Sequence, residues 1–206
     1  MKINEAGRSM IEMLGVLAII GVLSVGGIAG YTKAMNKYRI NKVVDQVTMI
    51  VTNIRTLYAM QRDYENLDNT VAFNVGVIPD DMGSSAADVK NAFDGDVTIA
   101  ASGKVTATDN KAFTVVFAGL TKEACVALAT GDWGTGHSAG LISVGAAATS
   151  TNTVGGTLLN ADGSCSSTIG AGSSCYDSLP MPVATASTNC GCAAGSNACS
   201  VGWKYF

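Results

Sequence analysis

Residues 7–31 read GRSMIEMLGVLAIIGVLSVGGIAGY, and one position among them, Glu12, raises the question that decides the fold. From Met13 to Tyr31 run 19 residues without a charge, close to the ~20 that carry a helix across the hydrocarbon of a bilayer. A secretory signal would have a shorter apolar part, about 7–15 residues, and a small-residue cleavage motif after it. Here the apolar run passes into a further helical pattern, which reads as a span that stays with the chain. A lone carboxylate costs about 3 kcal/mol to place in the membrane interior. Glu12 is therefore the first candidate for function.

Working outward, Lys33, Lys37, Arg39 and Lys42 lie just past the span as a local basic run, read as a solvated helix face or headgroup anchor. Apolar residues then recur at helical spacing: Met35, Tyr38, Val43, Val44, Val47, Ile50, Val51, Ile54, Leu57 and Tyr58. The two patterns join into one predicted helix from about Ser9 to about Arg62, a rod of roughly 80 Å. Its second half carries an apolar stripe and needs something packed on it. Gly26–Gly30, rich in a residue of low helix propensity, is the stretch expected to loosen if the helix leaves lipid.

Residues 63–95 hold Asn, Asp, Gly and Ser with the turn signal IPDDMG, and are read as a long loop with short helical pieces. DVTIAAS and AFTVVFAGL have the β-branched and aromatic density of strands, as do GLISVGAA and the final VGWKYF. Between the first and second pairs, TKEACVALA predicts a short helix capped by Thr121, with Glu123 at its positive end and Gly131 closing it. Residues 146–200 are rich in Ser, Thr, Gly, Ala and Asn, with few large apolar side chains to offset chain entropy. The expected class is α+β: a long N-terminal helix, transmembrane then amphipathic, packed on an antiparallel sheet with a disulfide-bounded C-terminal region.

All six cysteines, Cys125, Cys165, Cys175, Cys190, Cys192 and Cys199, lie well beyond the span. If the span leads to export of the chain beyond it, the cysteines meet an oxidising compartment, and an even count reads as disulfides. Zinc is disfavoured, because Cys190-x-Cys192 lacks the usual two-residue gap and the single histidine, His137, is far off. Fifteen complete pairings are possible and spacing does not choose among them. A net charge of −3 and a pI near 5.0 give no broad basic face for nucleic acid. Catalysis is not expected: His137 and Asp132 fall in GDWGTGHSAG without a nucleophile motif, and Asp80–Asp81 and Asp94–Asp96 sit in turns without ligand-dense spacing. No metal and no cofactor are expected.

The start of the chain resembles type IV pilins: a short leader ending in Gly7, Arg8 as the first residue after the cut, Glu12 as the fifth, then a long apolar helix. FAGLTKEACVALAT, with Cys125, and the terminal ACSVGWKYF are similar to the corresponding segments of the type IVb branch. Arg8 and the acidic Glu5 depart from the family pattern, which favours a large apolar first residue and a leader without that acid.

The resemblance implies a pilin fold and four regions: leader 1–7, transmembrane assembly helix 8–32, amphipathic helix 33–62, and globular head 63–206. Within the head it implies an αβ-loop at 63–95 and a cysteine-rich part at 125–206. It implies a prepilin peptidase that cuts between Gly7 and Arg8, N-methylation of Arg8, and a filament-assembly role for Glu12 against the new amino terminus of a neighbour. Pairing those two charges would relieve both desolvation penalties. It further implies a non-enzymatic subunit that polymerises with itself, held first in a bacterial inner membrane with its assembly machinery and then in an extracellular pilus. Such a pilus would serve adhesion to host or neighbouring cells, aggregation, motility or DNA uptake; a minor pilin or a type II secretion pseudopilin acting as a binding module is the alternative. For the bridges it implies Cys125 with Cys199; since Cys190–Cys192 would be strained, Cys165 and Cys175 are assigned to those two.

Overall fold

Helix α1 runs Met10–Tyr58 without interruption. The computed structural model describes residues 10–104, 109–134, 140–149, 173–176, 179–193 and 195–206. The chain divides into two compact units between Tyr38 and Arg39. In the first, every residue from Met10 to Ala34 is exposed, and by length and composition the helix can cross a membrane, with a mean hydropathy of 2.2 over its most apolar window. Gly26, Gly27 and Gly30 lie inside regular helix.

In the second unit the sequence stripe becomes a buried face. Val43, Val47, Ile50, Val51 and Ile54, three to four residues apart, sit in one core with Ile99, Phe113, Val115, Phe117 and Trp203. The helix stops at Tyr58 rather than near Arg62. The Gln61 N–H donates to the Tyr58 carbonyl (2.9 Å), and the Asp63 carboxylate accepts the Glu65 N–H (3.1 Å), so local polar groups turn the chain.

Among the described residues beyond the helix lie five antiparallel strands: β1 (Val97–Ser102), β2 (Ala112–Leu120), β3 (Leu141–Ala147), β4 (Ser173–Tyr176) and β5 (Cys199–Tyr205), in the order β1-β2-β5-β3-β4. The last strand thus lies in the middle, which is why all seven of its residues are buried. Val201, Trp203 and Tyr205 belong to the core that holds the α1 stripe. The alternate residues Ser200 and Lys204 are buried too, as are Thr114, Val116 and Ser143.

Among the described residues the head also holds three short helices: α2 (Asn69–Asn74), α3 (Lys122–Ala129) and α4 (Val183–Asn189). Thr121 caps α3 by accepting from the Ala124 N–H at 3.2 Å, as its sequence predicts. Residues 63–95 form a strapped loop holding α2 and a 3-10 turn at Asp80–Met82. Lys42 pairs with Asp81 (2.9 Å), Gln46 accepts from the Ala92 N–H (3.2 Å), Asn53 donates to the Val77 carbonyl (3.0 Å), and the Arg39 guanidinium lies 5.9 Å from the Phe93 ring centroid. About one side chain per one or two turns of α1 thus holds the loop.

The exposed edge of β1 is closed by a side chain. Asn69 donates to the Val97 carbonyl (2.8 Å) and accepts from the Ile99 N–H (2.7 Å), while the Ala101 N–H reaches the Leu67 carbonyl (2.8 Å). A carboxamide standing in for a strand residue leaves this edge little to offer another chain. Gly119, at φ +68°, faces Gly95: a Cβ on Gly119 would sit 2.6 Å from the Gly95 Cα. The Gly-Leu of FAGLTKEA therefore marks a backbone crossing at the β-bulge between Phe117 and Leu120.

Replacing Ile50, fully buried at the centre of the stripe, by Ala should lower unfolding free energy by about 2–5 kcal/mol in denaturant titration followed by tryptophan fluorescence. Tyr205 gives a pH test. Burial pushes its hydroxyl up to about 12, with Arg55 drawing it partly back. An unfolded tyrosine ionises at about 10, so the raised folded value stabilises the head fully below pH ~10 and that share, about 2–3 kcal/mol, is lost as pH climbs to ~12. Stability should fall across that window, and Tyr205→Phe should flatten the fall.

Candidate functional site

Glu12 stands in the first turn of α1, where the positive end of the helix dipole favours a carboxylate. Its neighbours are bare apolar side chains: Ile11 is 78% exposed and Met13 51%. Burying a charged group among apolar side chains is costly unless an opposite charge pairs with it. Gly7 and Arg8 lie outside the described residues.

The disulfide frame differs from the one the resemblance implied. Cys125 is bonded to Cys190 and Cys192 to Cys199, with Cα–Cα distances of 5.8 and 5.7 Å. Cys125 faces inward on α3, and Cys190 is the residue that ends α4, so the first bridge ties two helices. Cys199 opens β5 and meets the return loop that enters it, seven residues back. The expectation of Cys125 with Cys199 placed the thiol near the right strand, since the Cys125 sulfur lies 3.8 Å from the Ser200 carbonyl. Neighbouring residues on the two entering segments took the bonds. With Cys190 and Cys192 so engaged, their assignment to Cys165 and Cys175 is overturned. Cys165 lies outside the described residues, and Cys175 occupies β4 opposite Gly145.

The remaining polar motifs have structural partners. Asp81 holds Lys42; Asp96 (2.6 Å) and Asp88 (3.8 Å) hold Lys90, whose ammonium is favoured first by the Asp96 hydrogen bond. Asp132 accepts from the Gly134 N–H (3.0 Å), and Trp133 donates to the Leu128 carbonyl (2.8 Å), closing α3. His137 lies outside the described residues. Among the described residues no three His, Cys, Asp or Glu side chains gather at metal-binding range.

One feature escaped the sequence reading: a groove of about 410 Å³ where α1 ends, lined by residues including Leu57, Tyr58, Asp63, Glu65, Val71 and Val75. Leu57 and Tyr58 there look like the tail of the core stripe, and only the turn after Tyr58 opens them to one side.

A long helix with a bare apolar half, its other half built into an antiparallel sheet, and a cross-linked C-terminal strand define the type IV pilin class of filament protein. The family model described as PilS N terminal matches residues 37–179, and the chain belongs to that family of type IV pilins. Among solved structures, a type IV b pilin from Salmonella typhi is similar at 15% identity and a TM-score of 0.51. That match covers 80% of this chain and 98% of that one. No curated protein sequence matches. The family is structural rather than enzymatic, and self-polymerisation is its implied behaviour.

The two bridges should differ in weight. Closing 65 residues is worth about 4 kcal/mol on the chain-entropy model and closing seven about 2 kcal/mol. Cys125→Ser with Cys190→Ser should therefore destabilise the head more than Cys192→Ser with Cys199→Ser, read as denaturant midpoints; peptide mapping without reduction should recover both pairs.

Proposed function

We propose that the chain is the subunit of a type IV pilus filament, made as a membrane-held precursor. Its leader, residues 1–7, is cut by a prepilin peptidase between Gly7 and Arg8, and the new amino terminus at Arg8 is N-methylated. Residues 8–32 form the membrane and assembly segment, 33–62 the amphipathic half of the helix, and 63–206 the globular head. The observation that carries this reading is the bare apolar helix with a single carboxylate, Glu12, in its first turn.

In lipid the apolar side chains are solvated by hydrocarbon; out of it they are covered by the same segments of other copies. Glu12 supplies the one polar specification in that contact, pairing with the amino terminus exposed by cleavage in a neighbouring subunit and fixing the axial step. A contact between different surfaces of identical chains does not close on itself and gives an open helical filament. The assembly machinery of the inner membrane extracts the subunit, and the heads face outward, where they meet host or neighbouring cells.

The test is the intact mass of protein in sheared surface material. A mass of residues 8–206, with one methyl group added, is expected, and Glu12→Val should reduce sheared filaments by about tenfold or more, since it leaves the amine unpaired. Full-length chain confined to membranes would refute cleavage at Gly7. Cleaved chain scarce in filaments would move the assignment to a minor pilin or a type II secretion pseudopilin.

A further inference from the structure

The groove at the end of α1 joins an open apolar wall to a negative polar one. Its apolar wall is left open: Leu57 is 45% and Val75 47% exposed, beside Met60 at 98%. Its polar wall is negative, with Asp63 and Glu65 lining it and the Asp68 carboxylate near enough to add to the burial that pushes the Tyr58 hydroxyl up. The ion pairs of Lys42 with Asp81 and of Lys90 with Asp88 and Asp96 leave Glu65 uninvolved.

The matching cations are on the same chain. Lys33 and Lys37 are exposed, four residues apart on α1, and have no ion pair among the described residues. That spacing stacks their side chains on one helix face. Each has a four-carbon apolar stem under its ammonium, the shape that covers apolar surface while its head reaches a carboxylate.

We propose that this groove seats the Lys33–Lys37 face of a second copy of the chain. The lysine stems lie on Leu57, Val71 and Val75, and their ammonium groups meet Glu65 and Asp63. The proposal rests on the polymer reading and deepens it: where the Glu12 contact sets the axial step, this one selects the neighbour by charge and holds the head of one subunit to the helix of another. Donor and acceptor surfaces differ, so the contact is of the open, propagating kind, and complementary charge of this type governs register and the rejection of wrong partners.

The experiment uses the full chain and two opposed variants. Lys33→Glu with Lys37→Glu reverses one side. Glu65→Lys with Asp63→Asn reverses the other, the asparagine oxygen keeping the acceptor for the Glu65 N–H that holds the turn. Each pair should cut the yield of sheared filaments about tenfold, and the four changes together should restore it to within about threefold. In parallel, carbodiimide treatment of wild-type filaments should produce covalent dimers containing an amide between Lys37 or Lys33 and Glu65. That cross-link decides the matter if a variant fails to fold: its presence in dimers supports the contact, and its absence overturns it. Wild-type yield from both reversed variants would also overturn it while leaving the polymer reading intact. A wild-type chain that forms no filament at all would remove both.

Discussion

The constraint on which the head depends is the burial of one narrow stripe of α1. Val43, Val47, Ile50, Val51 and Ile54 stand at 7% exposure or less, and a helix face of this kind is stable in water only when covered. The cover is an antiparallel sheet whose inward residues include Phe113, Val115, Phe117 and Trp203. Polar residues within and beside the stripe are not wasted on solvent: Gln46 and Asn53 hold the backbone of the loop that leads away from the helix. The loop between helix and sheet is thereby fixed by the helix it leaves, and Asn69 within it closes the sheet edge.

Placing the last strand in the middle of the sheet makes the C-terminal segment central to the fold. The residues that lead into β5 after Cys190 are small or polar, with no large apolar side chains to offset chain entropy. Two bridges supply what the side chains lack. Cys125–Cys190 fixes α4 to α3, and Cys192–Cys199 pins the final approach of the chain to the start of β5. Aromatic contacts then hold the core-facing side chains of that strand: Phe113 stacks on Tyr205 at 5.8 Å, and Trp133 meets Trp203 edge-on at 4.8 Å.

In the proposed function α1 serves two solvents, lipid and water. Beyond Arg39 its apolar face is spent on the head; before Tyr38 the apolar surface is unspent, and a carboxylate sits in its first turn. Membership of the type IV pilin family, whose implied behaviour is self-polymerisation, gives that bare surface its proposed role as the face covered by other copies. In the proposed filament, charge pairing at Glu12 and at the groove would add direction to an otherwise non-directional attraction.

Much of this was legible in the residues themselves, because it is governed by neighbours a few positions apart. The uncharged run from Met13 to Tyr31, the stripe from Val43 to Ile54, the cap at Thr121 and the strand composition of AFTVVFAGL are local periodicities, and the elements appear where they predict. The helix ends four residues before the Arg62 that its periodicity predicts, because hydrogen bonds of Gln61 to Tyr58 and of Glu65 to Asp63 turn the chain there. Tertiary structure alone decided three things: that β5 lies between β2 and β3, that Cys125 meets Cys190 while Cys192 meets Cys199, and that Leu57 and Val75 open into a groove. Each depends on which distant segments end up adjacent. A cysteine carries no mark of its partner and a strand no mark of its neighbours, because both are chosen by the packing of the whole chain around one helix face.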